Sequence, residues 1–213
     1  MIFALLLAIA PSTATVLPEG TSVLLLDGGL FPLRIGGPFP VVPIATGDIE
    51  WGHGLGPVDL RLRLTSHLGV VHRFGPEMRG PALRLGRLSV SARVHPSVQF
   101  VGAREEELEY GGDLSTLVGV VGSVWWPRPG MTTSMEAGLT VQWLVFEHLD
   151  EGSHVDDDPY LAYWELGAQV ERPVSDSSSL YVRLETAIPR APDDPFTFLG
   201  GFHRLLVGAS WEI

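Results

Sequence analysis

Asp59-Leu60-Arg61-Leu62-Arg63-Leu64-Thr65-Ser66-His67-Leu68 decides the fold. Through Leu64 every second residue is apolar, and the residues between are polar or charged. Helical spacing would scatter those leucines around an axis, whereas a strand puts them all on one face. The same period of two recurs along the chain. Residues 136–145 set Ala137, Leu139, Val141, Trp143 and Val145 against Glu136, Gly138, Thr140 and Gln142. Residues 164–171 set Trp164, Leu166, Ala168 and Val170 against Glu165, Gly167, Gln169 and Glu171. Residues 179–186 alternate Leu180, Val182 and Leu184 with Tyr181, Arg183 and Glu185. The closing run places Leu205, Val207, Ala209, Trp211 and Ile213 against Arg204, Gly208, Ser210 and Glu212. The chain reads as all-β.

Composition narrows the class. At 213 residues the chain is long enough to bury a core in one domain. With 45% hydrophobic residues and six Trp, four Tyr and nine Phe, it is no disordered segment. The absence of cysteine excludes a disulfide scaffold and a thiolate metal site. A net charge of −11 argues against a nucleic-acid partner, which needs clustered Lys and Arg. The apolar run Ile2–Ala10, followed by Ser12 and Ala14, has the form of a signal peptide, residues 1–14, cleaved after Ala14. That run is too short to span a bilayer as a helix, which takes about 20 residues. The mature chain, 15–213, is expected to be a single domain.

Turn signals fall between the alternating runs in two length classes. Short ones are Gly54-Leu55-Gly56-Pro57, His95-Pro96-Ser97, Pro127-Arg128-Pro129-Gly130 and 174–178. Longer ones are 74–80, 103–113, 148–158 and 190–197. Between them lie ten expected strands, at 21–33, 43–53, 58–73, 82–94, 97–104, 114–126, 131–147, 159–173, 179–189 and 199–213. Eight is the alternative, because glycines and prolines interrupt the first run and 97–104 is short. Alternating short and long connections suit an antiparallel up-and-down barrel in a membrane, with short periplasmic turns and longer outside loops.

Period-two strands have two solutions. A soluble barrel or sandwich puts the apolar face inside; a membrane barrel turns it towards lipid and encloses the polar face. Three features favour the membrane barrel. The polar face balances acids (Asp48, Glu50, Asp59, Glu136, Glu165, Glu171, Glu185 and Glu212) against Arg61, Arg63, Arg73, Arg87, Arg93, Arg183 and Arg204. Its bases are all arginine in a chain without lysine, and the forked guanidinium suits desolvated pairing. Aromatics gather near strand ends: Trp51, Trp125, Trp126 and Trp211 on the short-turn side. Trp143, Phe146, Tyr160, Tyr163, Trp164, Phe196 and Phe198 lie on the long-loop side. Those are the two belts that membrane interfaces demand. The remaining charge is acidic and falls mostly in 105–109, 150–158 and 193–194.

On this architecture the chain resembles the small bacterial outer-membrane β-barrel proteins over roughly residues 20–213. The closing run FHRLLVGASWEI, 202–213, is similar to the C-terminal strand that the outer-membrane assembly machinery recognises. That family usually ends on an aromatic residue, where this chain has Ile213 with Trp211 two positions earlier on the same face. The resemblance implies the cell outer membrane as location, with the lipid bilayer, lipopolysaccharide and that machinery as partners.

The expected function is a barrel with a largely plugged, charge-paired lumen and a structural or interaction role at the cell surface. A narrow channel is the second reading, with Arg61, Arg63, Arg183 and Arg204 facing Glu136, Glu165 and Glu185 as its lining. A lipid-modifying enzyme is a third, needing a nucleophile with a base. Candidate bases are His53, His67, His72, His95, His148, His154 and His203. Ser66 and His67 point to opposite strand faces, Ser153-His154 sits in an acidic loop, and no G-x-S-x-G elbow occurs, so no enzyme is expected. A soluble periplasmic barrel with an apolar ligand is the fourth. No cofactor is expected. Asp156, Asp157 and Asp158, with Asp150 and Glu151, offer oxygen ligands for a hard cation but lack the spacing of a calcium loop.

Overall fold

In the stretch Asp59–His67 burial alternates residue by residue, but in the inverse sense to a soluble protein. Asp59, Arg61, Arg63, Thr65 and His67 are buried, while Leu60, Leu62 and Leu64 are exposed. The computed structural model describes residues 16–34, 41–67, 71–101, 108–149, 152–189 and 203–213. The expected signal peptide lies outside these residues. The strands are β1 (Ser22–Arg34), β2 (Val41–Gly54), β3 (Asp59–His67), β4 (Val71–Leu85), β5 (Leu88–Val101) and β6 (Leu108–Trp126). They continue with β7 (Met131–Leu149), β8 (Gly152–Asp156), β9 (Tyr160–Pro173), β10 (Ser178–Pro189) and β11 (His203–Glu212).

All neighbours are antiparallel. The order β6-β5-β4-β3-β2-β1-β11-β10-β9-β7 closes on itself through the pairing of β7 with β6, a barrel of ten strands. The short β8 stands outside this ring as a hairpin on the far end of β7, pairing with Val145–Leu149. Cross-strand partners followed once round the ring run from Glu212 through Val23, Gly52, Arg61 and Glu77, facing His95. They continue through Leu117, Thr140 and Tyr163 to Pro189. The path climbs from the short-turn end to the loop end, so the strands are strongly tilted, as barrel closure requires.

Two expected turns are strand interiors. Residues 74–80 lie within β4 and 95–97 within β5. The strands expected at 58–73, 82–94 and 97–104 are instead β3, β4 and β5, so the count of ten stands while three boundaries move. Gly75, Pro76 and Pro96 carry the wrong signal for a physical reason. Gly75 is needed for close approach, since a Cβ there would stand 2.1 Å from the Pro96 carbonyl oxygen. Pro76 and Pro96 oppose one another in the β4–β5 register, while their pairings to Leu62 and Thr116 run on unbroken. Their missing N–H groups therefore point at each other, and only this seam loses ladder bonds. The β4–β5 connection is Gly86-Arg87. Likewise, 108–113 belongs to β6 and 152–156 forms β8, where loops are expected.

The turns near residues 55–58, 86–87, 127–130 and 174–177 share one end of the barrel with Val16 and Ile213. At that end the chain before β1 folds into the mouth. Leu17 is buried against Val23, Leu25 and Tyr181, and its backbone N–H donates to Asp59 Oδ2 at 2.9 Å. Gly54 makes room for it: a Cβ there would lie 1.9 Å from the Pro18 carbonyl oxygen. A second small apolar cluster, Ala162, Tyr163 and Ala187, sits at the loop end.

Candidate functional site: the charged lumen

The pleat sends alternate residues of every strand inward, and charge gathers there. β2 contributes Asp48 and Glu50, β3 Asp59, Arg61 and Arg63, β10 Arg183 and Glu185, and β11 Arg204. Asp48 accepts from three arginines: Arg63, Arg183 at 2.8 Å and Arg204 at 3.0 Å. Glu185 faces the same three, accepting from Arg63 at 2.9 Å and Arg204 Nε at 2.6 Å, with Arg183 Nε at 3.1 Å. Asp27 of β1 completes the cluster, taking Arg183 at 2.5 Å and the Tyr181 hydroxyl at 3.0 Å. Three carboxylates and three guanidiniums thus balance. That matters because an unpaired ion here would carry a desolvation penalty of several kcal/mol.

Satellite clusters surround this centre. Arg61, fully buried, donates to Glu50 at 2.7 Å and Asp59 at 2.9 Å. Glu77 accepts from Arg79, with Arg93 at 3.9 Å and His95 Nδ1 at 3.7 Å, and Arg93 also donates to Glu136. Arg73 donates from Nε to Ser97 at 2.8 Å and from Nη1 to Glu165 at 3.3 Å. Near the turn end Gln169 donates to Glu171 at 3.3 Å. Several pairs cross the lumen instead of joining neighbouring strands: Arg63 on β3 meets Glu185 on β10, and Arg73 on β4 meets Glu165 on β9. Cavities remain on either side of the centre. One of about 790 Å³ including open solvent lies among Thr65, His67, Gln99 and Tyr163; another of about 340 Å³ lies among Glu50, Arg79, Ser134 and Gln169.

Among the expected lumen residues, Asp48, Glu50, Asp59, Arg61, Arg63, Arg73, Arg93, Glu136, Glu165, Glu171, Arg183, Glu185 and Arg204 face inward. Arg87 does not: it is exposed in the β4–β5 turn. Glu212 keeps the inward phase of β11 but is exposed at the rim. Sequence reasoning missed Asp27, Glu77, Arg79 and Asp113, all lumenal, and placed His95, also lumenal, in a turn. Asp27 was hidden by the glycines after it, and Glu77 and Arg79 by the misread turn. The signal was present, because Arg73, Glu77 and Arg79 keep the inward phase of Val71.

Outside, the wall is apolar: Val118 is 54% exposed, Val182 47% and Met135 74%. Trp51, Trp126 and Trp211 face outward near the turn end, and Trp143 and Trp164 towards the loop end. Trp143 and Trp126 donate their indole N–H groups to Thr116 and Thr133. Trp125 shares the lumenal side with its partner, the buried Thr132. Tyr163 packs inward in the regular phase of Glu165, and Tyr160 joins it beside Ala162 because a bulge at β9 shifts the phase of its first residues. Phe196 and Phe198 lie outside the described residues. A closed, even-numbered barrel with charge inside, apolar residues outside and two aromatic girdles has one habitat. This is an outer-membrane β-barrel.

No family model and no curated protein matches the chain. Similar solved structures include an outer membrane channel from Pseudomonas putida F1, at 10% identity and a TM-score of 0.49, covering 96% of this chain and 100% of that one. Ail, the attachment invasion locus protein of Yersinia pestis, in complex with the heparin analogue sucrose octasulfate, has 8% identity and a TM-score of 0.40, covering 92% and 99%. Omp33 of Acinetobacter baumannii has 10% identity and a TM-score of 0.40, covering 92% and 99%. Likeness at this level is silent about the lumen, which is read from the barrel's own side chains.

Other candidates fall elsewhere on the barrel. Asp156, Asp157 and Asp158 are exposed at and beyond the end of β8, where the Asp158 N–H donates to Asp156 Oδ1 at 3.0 Å. Asp150 and Glu151 lie outside the described residues. Among the described residues no group of three His, Cys, Asp or Glu side chains is arranged to hold a metal ion. His67 is buried in the lumen and the neighbouring Ser66 takes the outward phase of β3. Ser153 pairs with His148 across the β7–β8 hairpin at 2.9 Å, on an exposed extension.

Proposed function

We propose that this protein is a closed outer-membrane barrel without a standing pore, serving a structural or interaction role at the cell surface and not catalysis. One observation carries the reading: Asp48 and Glu185 each gather Arg63, Arg183 and Arg204, so side chains from β2, β3, β10 and β11 meet across the lumen. A small barrel's interior is just wide enough for side chains to fill. Here the fill is mutually neutralising, and Leu17 adds an apolar stop at the turn-end mouth. Residues 1–14 act as the export signal in this reading, β11 with Trp211 serves as the segment the assembly machinery engages, and lipopolysaccharide surrounds the loop-end wall.

Planar-bilayer recording tests closure. The wild-type protein should show no steady conductance. A variant with Arg63, Arg183, Arg204, Asp48 and Glu185 all changed to Ser, and residues 16–18 to Gly, should show discrete openings. Its unheated mobility on a gel establishes that it has folded. Steady wild-type conductance would make the barrel the narrow channel of the second reading.

A further inference from the structure

The loop-end cavity is walled by paired charges. Arg63, Arg73, Arg93 and Arg204 line it against Glu136, Glu165 and Glu185. Behind the lining, Asp48 accepts from Arg63 and Arg204, and Glu77 faces Arg93. Asp113, the next inward carboxyl on β6, stands beyond Ser115 and outside the lining.

The ion pairs leave donors over. Arg73 Nη2, Arg63 Nε, Arg93 Nε and His95 Nε2 are buried without a protein hydrogen-bond partner, and all four side chains line this cavity. Arg93 and His95 are themselves 5% and 3% exposed. Buried donors are ordinarily satisfied, so unused donors on side chains that line one space point to an acceptor there. Arg73 is the most available. Ser97 holds its Nε at 2.8 Å, and its carboxylate partner, Glu165 at 3.3 Å, also accepts from Thr140 at 2.6 Å. The guanidinium is therefore oriented by two partners and keeps a buried, unused donor at Nη2. His95 Nδ1 faces Glu77 Oε2 at 3.7 Å and carries a proton there, so Nε2 is a second donor in the imidazolium form of the ring.

We propose that the loop-end cavity is a binding site for a small oxyanion, with Arg73 and His95 as its chief donors. A guanidinium edge matches the paired oxygens of phosphate or carboxylate, which chloride lacks. The assignment holds whether or not the lumen conducts, so bilayer silence and loss of this site are separate outcomes.

The test is thermal unfolding of the full-length folded barrel in detergent micelles, titrated with inorganic phosphate against chloride at constant ionic strength. Phosphate should raise the melting temperature saturably and chloride should not. Arg73→Gln and His95→Gln should each weaken the phosphate response at least tenfold. Glu165→Gln, which frees Arg73 further, should strengthen it several-fold. Arg172→Gln, on the outer face of β9, should leave it unchanged. Acetate in place of phosphate separates carboxylate from phosphate recognition. Should Arg73→Gln fail to fold, the opposite responses of His95→Gln and Glu165→Gln still decide. Equal responses to phosphate and chloride, or a Glu165→Gln variant that binds more weakly, would overturn the site.

Discussion

Asp48 shows how much one residue can carry in this lumen. Its carboxylate is buried and faces Arg63, Arg183 and Arg204, so removing it leaves three guanidiniums sharing Glu185 and Asp27. Breaking a buried pair from one side costs about 3–5 kcal/mol. Asp48→Ala should therefore lower barrel stability by about that much, measured by urea unfolding in micelles. Charge type is equally specific here. Arg63 reaches Asp48 and Glu185 on two different strands, which suits a planar fork and not the point charge of lysine. Arg63→Lys should behave as a loss, not a conservative change, in the same unfolding assay. The alternation around Leu60, Leu62 and Leu64 made Asp59, Arg61 and Arg63 legible from sequence. Glu77 and Arg79 were not, because Gly75 and Pro76 beside them imitate a turn.

At the scale of elements, the β4–β5 seam and the segment before β1 are the unusual features. Pro76 and Pro96 face each other with no N–H between them, in a wall where lipid offers no replacement partner. Replacing both with alanine adds two donors aimed across the seam. The amides of residues 76 and 96 should then resist hydrogen exchange as strongly as their neighbours, and rapid exchange of both would mean the seam is open. The stop at the turn end depends on Gly54, whose missing side chain admits the Pro18 carbonyl. Gly54→Ala should dislodge residues 16–18 and cut protection of the Leu17 amide, which donates to Asp59, while leaving β-strand amides unchanged. Neither element was readable from local sequence. A proline's opposite number and a glycine's close neighbour are known only once register is set.

For the whole molecule, depth in the bilayer sorts residues of equal exposure. Val118 lies midway along β6 between Trp126 and Tyr110, whereas Leu83 lies beside the β4–β5 turn; they are 54% and 60% exposed. Arginine on the lipid face costs about 2–4 kcal/mol at the midplane and about 0–1 near the interface. Val118→Arg should therefore destabilise the barrel strongly and Leu83→Arg hardly at all, in folding titrations into phospholipid vesicles. If the apolar face were an interior, the lipid would make no difference to either.

By itself the sequence determined the strand class, ten strands, the inversion of apolar and charged faces and most of the lumenal charges. These follow from a period of two and from solvent preference, both written locally into every run such as Asp59–His67. Only the tertiary structure decided which charges meet, that Trp125 and Tyr160 turn inward, and that β8 stands outside the ring. Partners such as Arg63 and Glu185 lie 122 positions apart, and strand tilt and bulges set their height in the lumen. Closure of the barrel fixes those heights, and closure is a property of all ten strands together.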